Sequence, residues 1–254
     1  MISNQLIPNA PMGLIGEDDP KKKKDPFDDE IRILTKKNLP FDNKPTLEVI
    51  RNVSKQSGVN SALLLSSAFQ EGMNKAIAKP DDISQAYFNN IKGDDEKNFP
   101  VDGFYNYGID KFSEYLPRIK GDLPAGFESR YKIYPAKNEL GQSVNTAAFR
   151  TNEDALIVKS AILKDAMREV DKYAKSKGVE LDENAKNYFT LARYNASPKS
   201  FQLMLDEYAK AKDKKAFIDK GETSKKKIHE NISPRLKRMV LAQSILDENP
   251  LGNK

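Results

Sequence analysis

The 254-residue sequence predicts a mainly α (α+β) protein: a helical domain with a small irregular or β-hairpin lobe, an extended N-terminal arm and a C-terminal helix. Three observations carry this expectation. Apolar residues recur at helical spacing through much of the region from residue 45 to residue 208. One long internal stretch, Gly93 to Gly141, breaks that pattern with aromatics, Gly and Pro. The first 44 residues hold five Pro and two Gly and keep neither a helical nor a strand period, which is the mark of an extended segment.

The arm, residues 1–44, switches abruptly from Glu17-Asp18-Asp19-Pro20 to Lys21-Lys22-Lys23-Lys24. Its short apolar patches, Leu6-Ile7-Pro8 and Met12-Gly13-Leu14-Ile15, suit docking into a partner's grooves; a leader without a partner accounts for them equally well. A first helix is expected from Pro45-Thr46, with Leu47, Val49, Ile50 and Val53 on one side, ending at Gly58, because glycine accepts the left-handed conformation just past a last turn. Asn60 or Ser61 then caps a second helix, expected to run to about Ala78 and to stop before Pro80. Ala62, Leu65, Phe69, Met73 and Ala76 form one stripe on it, while Leu64 and Ala68 lie elsewhere, so this helix should be buried by several neighbours.

Asp81 and Asp82 are expected to cap a short helix over Ile83 to Ile91. Within Gly93–Gly141 a helical core is expected at Ile109 to Leu116, and one small hairpin between Phe127 and Phe149. A long aromatic stretch inside a helical protein is more often a lid or cleft wall than a linker. Thr151-Asn152-Glu153-Asp154 is a start signal for a helix carrying Ala155, Leu156, Val158, Ile162, Leu163, Met167 and Val170 and ending at Gly178. Glu183 to Arg193 gives another helix, and Pro198 to about Ala211 a further one with Phe201, Met204, Leu205 and Tyr208 on one side. Lys210 to Lys227 is expected to be a solvated Lys-rich run, and Ser233-Pro234 to open a last amphipathic helix. Residues 212–254 are thus a basic linker plus C-terminal helix.

Composition narrows the chemistry. There is no Cys and a single His, His229, which excludes disulfides and thiolate chemistry and leaves almost no room for a histidine triad or a zinc cluster. No cofactor and no metal is expected. No apolar run of about 18 residues occurs, so no membrane span is expected, and the N-terminus lacks the pattern of a signal peptide. The net charge of +5 is spread over mixed charges, which argues against specific nucleic-acid contact.

The chemistry left is that of carboxylates, Tyr, Ser, Asn and Lys. Glu71 follows Ala68 by one turn and Leu64 by two, so it projects from a largely apolar section of an expected central helix. A carboxyl buried without a partner holds its proton, the state required of a general acid that protonates a glycosidic oxygen. Spacing alone favours the other reading, in which Glu71 sits at a solvated helix edge and pairs with Lys75 at i+4.

Gly58-Val59-Asn60-Ser61-Ala62-Leu63-Leu64-Leu65 followed by Gln70-Glu71 resembles the opening of the soluble lytic transglycosylase family, in the goose-type lysozyme-like superfamily. There a Gly-Val-Asp-Pro type helix start leads to Gln-Glu-Ser; here Gly72 replaces the Ser. Leu191-Ala192-Arg193-Tyr194-Asn195-Ala196-Ser197-Pro198 is similar to the family's Ala-Tyr-Asn-Ala-Gly helix end, with Ser197 in place of Gly. Asn152-Glu153-Asp154-Ala155-Leu156 through Leu163 resembles its Asp-Pro-Glu-Asn capped helix. The Gly-Leu-Met-Gln turn has no clear counterpart; Gly108-Ile109 stands nearest to Gly-Leu and brings Asp110 toward a sugar-contacting position.

The resemblance implies a lysozyme-like transglycosylase domain over residues 45–211. It implies Glu71 as the single catalytic acid and base cleaving the β-1,4 bond between MurNAc and GlcNAc, with the substrate's own 6-hydroxyl as nucleophile, so that the second carboxylate of ordinary glycosidases is not required. It places Tyr194 as a phenolic partner of Glu71 or the sugar, and Asn195 at the helix end or on an acetamido group. Read without the resemblance, Tyr194 and Asn195 are a core aromatic and a helix-terminal Asn. Tyr105, Tyr107, Phe104 and Phe127 stack on sugar rings or merely fill the small lobe. The implied partners are a peptidoglycan glycan strand and, through the arm, other virion or tail proteins. Carriage in a phage particle follows from a docking arm without a signal peptide. The rival expectation is a catalytically inactive structural virion protein of the same fold, suggested by Gly72, Ser197 and the missing turn. Hydrolysis and anhydro-forming transglycosylation both remain open.

Overall fold

The computed structural model describes residues 46–68, 101–102, 112–137 and 143–248. These are mainly helical, with one small antiparallel sheet, as the periodicity predicts. In chain order the elements are α1 (Thr46–Ser57), α2 (Ser61–Ala68), β1 (Val101–Asp102), α3 (Phe112–Ile119), β2 (Tyr131–Lys137), β3 (Ser143–Phe149), α4 (Asn152–Ser176), α5 (Glu183–Asn195), α6 (Pro198–Lys210), α7 (Lys214–Lys220) and α8 (Lys226–Glu248). Glu71, Tyr105, Tyr107 and Asp110 lie outside the described residues, as do Phe104, the short helix expected over 83–91 and the arm.

The helix boundaries follow from local chemistry. α1 ends where Gly58 takes a positive φ of 75°, a conformation that costs a residue with a Cβ but not glycine. Asn60 then caps α2: its Oδ1 accepts from the backbone N–H groups of Ala62 and Leu63 at 2.8 and 3.1 Å, satisfying two of the donors a helix start leaves open. Thr151 caps α4 by accepting from the Asp154 N–H. Asp182 does the same for α5 through the Ala185 N–H, and Ser197 for α6 through the Ser200 N–H. Ser197, a departure from the family pattern, therefore has a structural task of its own.

α2 and α5 are the innermost helices. Every residue from Ala62 to Ser67 of α2 is buried, as the scatter of its apolar residues over several faces predicts. In α5, Ala185 and the run from Asn187 to Arg193 are buried. α4 packs against α1, α2 and α5, and α8 closes over α2 and α5. The sheet has the order β1-β3-β2, both pairings antiparallel, with Val101 and Tyr131 each opposite Phe149. It rests on α3 and α4 through an aromatic cluster in which Phe112 meets Tyr131 edge-on at 5.0 Å and Phe149 at 6.0 Å. Phe127 is buried and packs on Tyr131; it fills this lobe and is not a stacking surface for a sugar.

Three elements differ from expectation. The helix expected from Ile109 to Leu116 is described over Phe112–Ile119, and it carries Pro117 inside its last turn. The buried ends Phe112 and Ile119 anchor it, and a proline that close to the terminus forfeits little hydrogen bonding. The run from Lys210 to Lys227, expected to be solvated, contains α7, capped by Asp213, with Phe217 and Ile218 buried. The last helix begins at Lys226, not at Ser233-Pro234, and passes through Pro234. Interior proline costs about 3 kcal/mol, and here the burial of the apolar residues Ile232, Ala242, Ile245 and Leu246 on both sides of it offsets that cost. α8 belongs to the common core through Ile232, Ala242, Ile245 and Leu246, and the Arg51 guanidinium of α1 donates to the Leu246 carbonyl at 2.6 Å.

Candidate functional site

The described part of the candidate site is the end of α5 and the face of α4 that meets it. Tyr194 lies in the last turn of α5, half-buried. Its hydroxyl accepts a 2.6 Å hydrogen bond from the ammonium of Lys159 in α4. The same ammonium lies 3.9 Å from the centre of the Tyr194 ring, so the lysine is held by both a lone pair and the π-face. Lys159 is only 1% exposed, and a lysine that deep exists only where its charge is matched by polar groups. It sits between Leu156 and Leu163, at i−3 and i+4 on one face, both fully buried. That placement, a lysine on the apolar stripe of a helix, was the available sequence signal for Lys159, and the apolar periodicity of the segment masks it.

Asn195 is exposed, and its amide donates to the Leu191 carbonyl of its own helix at 2.7 Å. It tidies the end of α5, where Ala196 turns to an extended conformation, so the helix stops without the left-handed residue that an Asn at this position suggests. Beside it Arg193, nearly buried, grips Glu169 of α4 through two nitrogens: Nη2 donates to Oε1 at 2.9 Å and Nε to Oε2. A third bond runs from Nη1 to the Ala196 carbonyl. A bidentate Arg–carboxylate pair is directional as well as strong, and this one fixes α5 against α4 one residue before Tyr194.

Charge continues outward from this clamp. Arg118 of α3 reaches Glu169 at 2.9 Å and Asp165 at 3.4 Å, while Arg168 and Lys164 of α4 converge on Asp122. Asp122 is held below the usual carboxylate range: burial alone would raise it, but hydrogen bonds from Arg168 and Lys164 outweigh that. Tyr115 is pushed up, chiefly by burial. Tyr115, Arg118, Ile162, Asp165, Ala166, Arg193 and Tyr194 line a crevice with no room for a water molecule.

In α2 the hydroxyl of Ser66 donates to the Leu63 carbonyl at 3.2 Å, while that of Ser67 is buried with no hydrogen-bond partner among the described residues. The structure therefore brings Tyr194 and Lys159 together, gives Asn195 a local role, and describes none of Glu71, Asp110, Tyr105 and Tyr107. No family model, curated protein or solved structure matches this chain.

Proposed function

We propose that this protein is a peptidoglycan-cleaving lytic transglycosylase or muramidase, carried in a phage particle and using Glu71 as its single general acid and base. The observation that supports it is the packing of α4 against both α2 and α5. The described parts of the three sequence blocks that carry the family resemblance thereby lie in helices of one shared core. On this reading Glu71, three residues beyond the described end of α2, protonates the glycosidic oxygen and then takes the proton of the muramic 6-hydroxyl. Tyr194 stands at the margin of that site. The polymer is a glycan strand, and the arm of residues 1–44 docks the enzyme to other virion or tail proteins.

The experiment is digestion of purified peptidoglycan by the full chain and by Glu71→Gln, with mass spectrometry of the released muropeptides. Wild type is expected to release them and Glu71→Gln to fall by at least about a thousandfold, the scale on which loss of an essential proton donor acts. Ends lighter by one water identify internal attack by the 6-hydroxyl; ordinary reducing ends identify hydrolysis.

A second reading, a catalytically inactive structural virion protein of the same architecture, is favoured by Lys159. A buried ammonium occupying the Tyr194 hydroxyl favours an ionised carboxylate in its vicinity over a protonated one, which is the wrong state for a general acid. The narrowness of the crevice beside Tyr194 points the same way. Absence of product from wild type and Glu71→Gln alike, with both proteins folded, selects this reading.

A further inference from the structure

The formal charge of +5 conceals an asymmetry. Residues 210–227 hold eight lysines against three acidic residues, a net charge equal to that of the whole chain, so all the other residues together are neutral. This segment is built into the fold. Phe217 and Ile218 of α7 are buried in the core, and the Lys214 ammonium donates to the Tyr208 carbonyl at 2.9 Å. Glu207 accepts from the Thr223 hydroxyl and the Ser224 N–H, and the Thr223 hydroxyl in turn accepts from the Lys225 N–H. The lysines are thereby gathered around the C-terminal end of α6: Lys210 closes that helix, and the turn leading into Lys225, Lys226 and Lys227 is tied to it three residues earlier.

Lys210, Lys212, Lys215, Lys220, Lys226 and Lys227 are exposed, and among the described residues none of them forms an ion pair with a carboxylate. Asp213 is engaged instead with the Ala216 N–H at the start of α7. Nor does helix stability account for where the lysines stand. Lys214 and Lys215 occupy the first turn of α7, and Lys226 and Lys227 that of α8, with no acidic residue in either turn. Cations at a helix N-terminus oppose the macrodipole, which favours carboxylates there. Local rules are broken in this way where a surface serves a function.

We propose that this surface binds the phosphate backbone of double-stranded DNA without regard to sequence. Lysine ammoniums are point charges that suit phosphate oxygens. No arginine occurs between Arg193 and Arg235, so the bidentate reading of guanine has no residue to perform it here. Phe217, the one aromatic of the segment, is buried. That removes both the ring platforms on which a single strand stacks and the aromatic anchors of a protein partner. No large apolar side chain of the segment is exposed, so a membrane would meet charge with nothing to insert. Charge density remains as the recognised property, and duplex DNA carries one negative charge per about 1.7 Å of axis. The seven residues of α7, about 10 Å at 1.5 Å per residue, lie along a length of duplex with about six such charges.

The test is fluorescence anisotropy of the full chain with labelled duplexes of about 20 base pairs in two unrelated sequences, over a salt series. Oligo-dT of the same length, poly-L-glutamate, and vesicles of equimolar phosphatidylcholine and phosphatidylglycerol serve as competitors. Both duplexes are expected to bind alike and more tightly than any competitor. The slope of log K against log salt should be about −3 to −5, the range for about three to six phosphates at 0.9 each. Lys212→Glu, Lys215→Glu and Lys226→Glu together should lower duplex affinity at least about tenfold and flatten the slope by about 2 to 3. The melting temperature of this triple variant should hold or rise, because two of the three changes place a carboxylate in a first turn. Lys55→Glu, Lys120→Glu and Lys199→Glu, at exposed positions in α1, after α3 and in the first turn of α6, alter the net charge equally and should leave most of the affinity. No duplex binding at low salt, equal loss in both triple variants, an unchanged slope, or preference for the single strand, polyglutamate or vesicles would each overturn the inference. None of these outcomes depends on whether Glu71 cleaves glycan.

Discussion

A single buried lysine sets the character of the candidate site. Lys159 is held under the surface by the Tyr194 hydroxyl at 2.6 Å and by the ring itself, so the tyrosine that the resemblance marks as functional is also structural. Tyr194→Phe keeps the ring and removes the lone pair. Because a hydrogen bond to a charged group contributes about 1.5–3 kcal/mol, the variant is expected to lose about that much stability in urea unfolding with an unchanged m-value. An unchanged midpoint would show that the hydroxyl does not hold the ammonium. The one histidine has a different task. His229 is buried against Gly221, which takes a positive φ of 65° and whose missing Cβ would stand 2.6 Å from the imidazole Cγ. Its Nδ1 lies 3.2 Å from the Tyr188 hydroxyl, and burial pushes that phenol up so that it keeps its proton. Burial also lowers the His229 pKa, an effect that nearby Glu230 opposes and Lys237 reinforces. The unfolded chain then binds a proton more readily than the folded one, so the His229 contribution is complete above its unfolded pKa of about 6.5 and declines as the pH falls below that value toward the folded pKa. Urea midpoints from pH 8 to 5 should fall more steeply for wild type than for His229→Gln over this window; parallel curves would contradict it.

At the scale of the element, caps and punctuation were the readable part of the sequence. Gly58, Asn60, Thr151 and Pro198 each mark a boundary because a specific backbone group must be satisfied or a specific φ allowed there, and the structure places helix ends at all four. Asn60→Ala removes the acceptor for two backbone donors and the link to Glu183. It should cost about 1 kcal/mol, seen as a lower melting temperature, whereas Asn60→Ser, which retains a capping oxygen, should recover most of it. The unread elements have equally physical reasons. α7 offers only two buried residues, Phe217 and Ile218, in seven, too few to establish a period. Pro234 reads as a helix start because first-turn proline is the common case, and only packing on both sides reveals that the helix passes through it. The pairing of Lys159 with Tyr194 and the Arg193–Glu169 clamp were not legible because each depends on which residue of a neighbouring helix stands opposite, which spacing within one helix does not encode. Of the residues singled out for the site, Tyr194 and Asn195 are described; Tyr194 proves to hold Lys159, and Asn195 to close its own helix.

For the molecule as a whole, the decisive question is whether the chain after residue 211 is an appendage or part of the fold. Its composition, rich in lysine and following a helix that ends at Lys210, reads as a linker and tail. Its contacts do not. Phe217, Ile218, Ile232, Ile245 and Leu246 are buried in the same cluster as Leu63, Leu64 and Leu65 of α2 and Leu191 of α5, and Glu207 of α6 holds the turn into α8 by accepting from the Thr223 hydroxyl at 2.6 Å and the Ser224 N–H at 3.0 Å. At about 1.5–3 kcal/mol for each large apolar side chain buried, these five contribute on the order of 10 kcal/mol, comparable with the entire stability of an ordinary domain, about 5–15 kcal/mol. A chain ending at Ala211 would expose the faces of α2 and α5 that α8 covers, including the helix that leads toward Glu71. It is expected to retain helical circular dichroism but to lose a cooperative thermal transition and to bind a hydrophobic dye, and adding the separate 212–254 peptide should restore part of the transition. If the truncated chain instead melts cooperatively at the full-length temperature, α8 is peripheral and residues 45–211 are a self-sufficient domain. Muropeptide release by the same truncated chain would then give the size of the smallest active unit.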